Sequence, residues 1–174
     1  FHSETKLVSL AKFVSPKKMF NEKYAHRASA SKTMQLAYAK LARLIKKKYK
    51  PKSILEIGSN DGVFIKHFKD INNLGVEPCK NLAQITKKMG IKTYDDFWTY
   101  KLSEKIIKKN KHFDVIYSAN TISHIHNLDE TFRAINNSLN DNGIFILEDP
   151  SLFEVIKNTS YDQFYDEHAY VFSI

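Results

Sequence analysis

Apolar positions recur along this chain in two rhythms, and the change from one to the other predicts the fold. Residues 1–28 show no clear period. From Ser31 onward Met34, Leu36, Ala37, Leu41, Leu44 and Ile45 fall at helical spacing, with Ser29 or Ser31 as candidate N-caps. The lysines between Lys46 and Lys50 sit at the negative end of that helix dipole, and Pro51 stops the helix. Beyond Pro51 short apolar runs alternate with helical stretches. Strands are predicted at 53–57, 74–76, 91–94, 113–117 and 143–147. Between them lie a helical turn or two at 63–68 and helices at 81–89, 101–109 and 128–139. Such alternation implies an α/β fold, a parallel sheet with helices on both faces. No repeat or low-complexity linker interrupts it. The expected division is a leading segment and helix over 1–50, then a core over 51–174.

Composition narrows the class. Hydrophobic residues make up 43% and aromatics 13% of 174 residues, enough for the core of one domain. Lys and Arg number 27 against 19 Asp and Glu, a formal net charge of +8. Much of the excess lies at Lys46, Lys47 and Lys48, at Lys87 and Lys88, and at Lys108 and Lys109, on separate predicted helices. Arginine is sparse and no aromatic–basic motif of the RNA-binding kinds occurs, so the lysines read as solvated faces and no nucleic-acid partner is expected. An acidic, nucleotide-linked substrate would still be attracted. The single cysteine, Cys79, allows neither a disulfide framework nor a Cys-based zinc site within the chain. No metal is expected, and a reducing, cytoplasmic compartment fits. No apolar run approaches a membrane span and no signal peptide is visible, so no membrane partner is expected. The chain opens on Phe1 rather than Met, which leads us to expect a piece of a longer protein.

Candidate chemistry begins at Ile54-Leu55-Glu56-Ile57-Gly58-Ser59-Asn60-Asp61-Gly62, a strand running into a glycine-containing turn that opens a helix. Glycine there lets the backbone approach a ligand, and open α/β sheets bind ligands at the carboxyl ends of such strands. The third glycine of a dinucleotide fingerprint is missing. The acids Glu56 and Asp61 disfavour a phosphate and suit a cation, and S-adenosylmethionine (SAM) carries a sulfonium and an ammonium. Gly75-Val76-Glu77-Pro78 lies about one βαβ repeat downstream, where Glu77 can accept bonds from both ribose hydroxyls. The plainer reading of Glu77 is a surface acid. After the fourth strand, Asn120 is placed to bond the methionine portion of SAM. His124 is open between a group at the substrate and a helix-packing histidine. Glu148-Asp149-Pro150 ends the fifth strand on the same rim, where either acid can hold substrate and a turn-forming Asp-Pro also accounts for the string.

Taken together, Glu56 to Gly62, Gly75-Val76-Glu77-Pro78, Asn120 and His124-Ile125 resemble the SAM-dependent sugar C-methyltransferases, which act on nucleotide-linked 4-ketodeoxysugars. Met19-Phe20-Asn21-Glu22-Lys23-Tyr24-Ala25-His26, with Ser29 and Ser31, is similar to that family's Met-Phe-x-Glu-x-Tyr segment. Tyr165-Asp166-Glu167-His168-Ala169-Tyr170-Val171-Phe172-Ser173 is similar to its Tyr-His-Glu-His-x-x-Tyr-Phe-Ser motif, the most specific part of a resemblance spanning 19–174. Asp166 stands where the family usually has His, and His26 and Ala28 where Tyr or His and Ser are usual. The family also carries an N-terminal cysteine-rich zinc module and a C-terminal domain, and neither is in this sequence. Its remaining strands would lie beyond Ile174, leaving a sheet edge that needs covering. The resemblance implies a Rossmann-like class I methyltransferase core, mostly parallel sheet, preceded by a helical segment.

It also implies SAM as cofactor, held by Glu56, Gly58, Asn60, Asp61, Gly62, Glu77, Pro78 and Asn120, with His124 and Glu148 toward the substrate. Methyl transfer to carbon needs a carbanion equivalent, which a ketone supplies when its neighbouring proton is removed. That requires a base for the C–H and a donor for the developing oxyanion. Tyr165, Glu167 and His168 bring these chemical types into one short segment, and Tyr24 joins them as a catalytic candidate. The family implies His168 as the base, with Glu167 orienting the imidazole or binding a sugar hydroxyl. On composition alone the same segment reads as a polar surface loop. A small-molecule O- or N-methyltransferase, an RNA-modifying enzyme and a truncated SAM-binding module without activity remain open, because a fold does not fix a function.

Overall fold

The structure, a computed structural model, describes residues 1–173; residue 174, where the expected core ends, lies outside the described residues. The aperiodic leading segment forms little regular structure: strand β1 (Val8–Ser9), helix α1 (Pro16–Met19) and a 3₁₀ turn at Ala28–Ala30. Helix α2 (Lys32–Tyr49) follows, with Ser31 as its N-cap, the Oγ accepting from the Met34 N–H at 3.3 Å. It ends at Lys50 in the left-handed conformation, just ahead of Pro51. Its inward stripe differs from the expected one. Tyr38, Ala42 and Ile45 are buried, with Met34 and Leu41 packed beside them, whereas Ala37 is exposed and Leu36 and Leu44 are 70% and 56% exposed. Tyr38, an aromatic with a polar tip, sets the stripe and rotates those three aliphatics toward water.

Strand β2 (Ser53–Ile57) is buried at every residue, with Ile54, Leu55 and Ile57 as its apolar side chains around the buried Glu56. The chain then makes a 3₁₀ turn (Ile65–Phe68) rather than a helix over 63–68. Val63, Phe64, Ile65 and Phe68 are all buried, and only Lys66 and His67 reach partly toward solvent. Next come β3 (Asn72–Val76), α3 (Lys80–Lys88), β4 (Thr93–Tyr94), α4 (Tyr100–Asn110) and β5 (Phe113–Ala119). A 3₁₀ turn (Ile122–His124), α5 (Leu128–Ser138), β6 (Leu139–Glu148) and α6 (Leu152–Lys157) follow, then a 3₁₀ turn (Tyr161–Gln163) and β7 (Tyr170–Val171).

The main sheet has five strands in the order β4-β3-β2-β5-β6, all parallel, with Leu55 level with Leu74 on one side and with Ile116 on the other. This is the expected α/β, Rossmann-like arrangement. Alternation along each strand divides the core into two layers. Leu55, Ile57 and Ile116 pack with Leu102, Ile106 and Ile135 of α4 and α5. Ile54, Val115 and Tyr117 pack with Tyr38 and Ile45 of α2 and with Phe64 and Phe68. β6 pairs with β5 and stands at the sheet's edge, its residues Ile144 to Leu147 only partly buried.

A second, two-stranded sheet joins the two ends of the chain. β1 runs antiparallel to β7, pairing Val8 with Val171, and the Leu10 N–H donates to the Ala169 carbonyl at 3.0 Å. The leading segment is thereby anchored beside residues 161–169. Among the described residues no helix is long and apolar enough to cross a membrane.

Candidate active site

From β2 the chain builds outward to β3 and β4, then crosses back to β5 on the opposite side. The carboxyl ends of β2 and β5 flank this switch point, where open α/β sheets form their crevices. A cavity of about 1310 Å³ opens there, walled by the ends of these strands, by the leading segment and by residues 163–168.

The floor is the turn after β2. Gly58 has φ 74°, and a Cβ there would lie 2.0 Å from the Thr121 Oγ1, so only glycine fits. The N–H groups of Gly58 and Ser59 both donate to the Val76 carbonyl, at 2.8 and 3.0 Å. Asn60 is left-handed, and its N–H donates to Glu77 Oε2 at 2.8 Å, while the Cys79 N–H donates to Oε1 at 2.8 Å. One carboxylate thus ties the glycine turn to the start of α3. Each of its oxygens keeps acceptor capacity for a further hydroxyl.

Glu77 is 5% exposed and Glu56 4%, and both line the cavity. Glu56 accepts from the Ile65 N–H at 3.1 Å. Burial pushes its carboxyl well above the usual range, and the charges of Glu77 and Asp61 push the same way. Burial also raises Glu77, against the opposing hydrogen bonds from Cys79 and Asn60. Among the described residues neither acid forms an ion pair. Buried carboxylates without a cation are costly, so this wall suits a ligand that brings positive charge and hydroxyl groups.

The Tyr165–His168 segment also lines the cavity. His168 is 5% exposed, with Nδ1 2.7 Å from the Gln163 carbonyl. Because a carbonyl only accepts, Nδ1 carries the proton and Nε2 the lone pair. The Tyr165 hydroxyl lies 3.2 Å from Nε2. The His124 ring lies 5.1 Å from His168 and meets Phe20 edge-on at 5.3 Å. Burial, and then His168, lower the His124 pKa to about 4 against weaker support from the backbone of Glu167 and Asn120, so this imidazole is neutral. Asp149 stands behind the wall, accepting from the Ser123 hydroxyl at 2.6 Å, and burial raises its pKa to about 6.

Residues 24–29 strap across the opening. The Tyr24 hydroxyl donates to Glu167 Oε2 at 3.2 Å, and its carbonyl accepts from Asn81 Nδ2 at 2.8 Å. The Ala28 N–H donates to Asn60 Oδ1 at 2.9 Å, and Asn60 Nδ2 donates to the His26 carbonyl at 3.3 Å. Burial and the Glu167 charge raise the Tyr24 phenol pKa, so it stays a donor.

The cavity brings together Glu56, Gly58, Asn60, Glu77, Pro78, Asn120 and His124 with Tyr24, Tyr165, Glu167 and His168. Asp61, Gly62 and Glu148, expected at the ligands, stand off this wall and hold its parts in place. Asp61 is 2% exposed and accepts from the Ser29 hydroxyl at 2.5 Å, fastening the strap. Gly62 faces Thr86, where a Cβ would come within 3.0 Å of Oγ1, so it allows α3 to pack closely. Glu148 accepts from the Tyr117 hydroxyl at 3.0 Å, and its carbonyl accepts from the Asn120 N–H at 2.7 Å. Asp166 is exposed and also off the wall.

Sequence reasoning missed Phe97, Trp98 and Thr99, and the basic Lys17 and Arg27, all of which line the cavity. The first three follow β4, so the rule that strand ends face the crevice pointed to them, but a two-residue strand gives little to read. Lys17 and Arg27 lie in the aperiodic segment, without a local signal. Among the described residues no cluster of His, Cys, Asp and Glu is suited to a metal ion.

A family model described as a methyltransferase domain matches residues 24–174. The C-methyltransferase NovU of Streptomyces niveus is 28% identical over 123 residues, which cover 70% of this chain and 29% of that protein. The chain therefore spans less than a third of that relative's length. Among solved structures, the sugar N-methyltransferase KedS8 from Streptoalloteichus matches with a TM-score of 0.53 at 16% identity, over 68% of this chain and 50% of that one. A SAM-dependent methyltransferase from Thermotoga maritima, described as a possible histamine N-methyltransferase, matches with a TM-score of 0.59 at 19% identity, over 80% and 64%. At these identities the structural likeness speaks for the fold.

Proposed function

This chain belongs to the methyltransferase-domain family, and on that premise we propose that it uses SAM to methylate a carbon of a nucleotide-linked 4-ketodeoxysugar through an enolate. The observation that carries the reading is the meeting of Tyr24, Tyr165, Glu167 and His168 in one cavity with two buried, cation-free acids. The similarity to a protein named as a C-methyltransferase supports the same chemistry.

SAM supplies an electrophilic methyl group on a sulfonium. Glu77 would offer its free lone pairs to the ribose hydroxyls, and Gly58, packed against Thr121, would hold the turn beneath the cofactor. Glu56 and Asn120 would take the charged amino-acid end, and Phe97, Trp98 and Thr99, which follow β4, also line the cavity. His168 is the base, its proton held on Nδ1 by the Gln163 carbonyl so that Nε2 keeps the lone pair that takes one. The tyrosines offer O–H groups to the enolate oxygen, with Glu167 holding Tyr24 in place. His26, Arg27 and Lys17 give the cavity a basic side suited to a diphosphate.

Turnover with methyl-labelled SAM and a panel of nucleotide-linked ketosugars tests this, with the product carbons read by NMR. A new carbon–carbon bond next to the ketone is expected. Label on oxygen or nitrogen would make the chain an O- or N-methyltransferase instead. SAM binding with no transfer to any acceptor would leave it a binding module.

A further inference from the structure

We infer that Tyr165 is the group that takes the proton from the substrate carbon, and that His168 is the buried base behind it. The inference rests on the C-methylation reading above and changes which atom meets the substrate. Both residues line the cavity, but His168 is only 5% exposed whereas Tyr165 is 44% exposed. With the imidazole proton fixed on Nδ1 by Gln163, the one basic position is Nε2. That position is already engaged. The Tyr165 hydroxyl lies 3.2 Å from Nε2, and the two rings pack with centroids 4.3 Å apart. The phenol donates to Nε2, and its oxygen keeps lone pairs of its own. A C–H group approaching this wall therefore meets the phenolic oxygen before it meets the imidazole.

The step balances without any further reactant. The C–H bond next to the ketone breaks, its electron pair stays with the substrate as the enolate, and its proton joins the Tyr165 oxygen. In the same event the original phenolic proton passes to His168 Nε2. Tyr165 ends neutral, as it began. His168 ends as an imidazolium, and the enolate carries the matching negative charge. No free tyrosinate forms at any point, which matters because burial and the charge of Glu167 raise the Tyr165 pKa above its ordinary value. The Gln163 carbonyl keeps its bond to the Nδ1–H throughout. Tyr24, tied to Glu167, is left as the hydroxyl donor for the enolate oxygen.

The test is exchange of the substrate proton with deuterated solvent, without SAM, alongside nitrogen-15 NMR of His168. In the relay, Tyr165→Phe and His168→Ala lose exchange by the same factor, about 10²–10⁴. Tyr165→Phe keeps the ring that packs on His168, and its NMR spectrum reports whether the fold is intact. Exchange near the wild-type rate in a folded Tyr165→Phe protein, with His168→Ala inactive, would overturn the relay and make His168 the direct base. If the wild-type protein exchanges no ketosugar proton, the C-methylation reading falls and the NMR arm judges the pair alone. A neutral imidazole protonated on Nδ1, with an Nε2 signal that moves in Tyr165→Phe, upholds it. An imidazole protonated on Nε2, or an Nε2 signal indifferent to Tyr165→Phe, overturns it.

Discussion

The Tyr24 hydroxyl donates to Glu167 Oε2 at 3.2 Å, joining residues 143 positions apart in the chain. One comes from the leading segment and the other from the loop that carries His168, so the bond ties two distant segments together at the cavity. Because the acceptor is a carboxylate in a partly buried site, the bond belongs to the stronger class. A double-mutant cycle with Tyr24→Phe and Glu167→Gln, followed by urea denaturation, should give a coupling energy of about 1.5 kcal/mol. Strict additivity would mean that the two segments are held by other contacts.

Gly58→Ala should damage both the fold and the cofactor site. The backbone there is left-handed, and the new methyl would fall 2.0 Å from Thr121 Oγ1, 2.7 Å from its Cγ2 and 2.8 Å from its Cβ. The conformational strain alone is on the order of 1–3 kcal/mol, and displacement of Thr121 adds to it. Urea denaturation should show the loss, and SAM titration of the folded fraction should show weakened binding. Wild-type stability and affinity in this variant would show that the turn is free to adopt another path.

His124 and Asp149 give stability opposite dependences on pH. Asp149 titrates at about 6 in the folded chain against an ordinary 3.8, so its contribution is full below 3.8 and is lost as pH rises through 6. His124 titrates at about 4 against an ordinary 6.5, so its contribution is full above 6.5 and is lost as pH falls through 4. Each is worth at most about 3 kcal/mol. Relative to wild type, Asp149→Asn should gain stability as pH rises from 4 to 6, and His124→Phe should gain it as pH falls from 6.5 to 4. Denaturation midpoints measured across this range decide it. Parallel curves for all three proteins would contradict both assignments.

What the sequence made legible follows from where its signals are local. Strands such as Ser53–Ile57 and Phe113–Ala119 are buried on both faces, so burial writes itself as a mostly apolar run. The glycine turn and Glu77 could be placed because a strand, a tight turn and an acid one repeat later stand at readable spacing. Asp61, Gly62 and Glu148 were legible as belonging near the site but not as its scaffold, because spacing does not say which way a side chain turns. The pairing of Val8 with Val171 left no trace, since a two-residue ribbon between opposite ends of a chain has no local pattern. The grouping of Tyr24 with Tyr165, Glu167 and His168 was visible through family resemblance alone. Only the folded chain brings their segments together.

Calorimetric titration of SAM into the wild-type protein and into Glu77→Gln, with denaturation confirming that the variant is folded, tests the cofactor site most directly. Glu77 is both the tie between the glycine turn and α3 and the acceptor offered to the ribose. One SAM site per chain is expected, weakened about ten- to a hundredfold in the variant, the scale for loss of hydrogen bonds to a charged acceptor. No binding to the wild-type protein, or unchanged affinity in a folded Glu77→Gln protein, would contradict it.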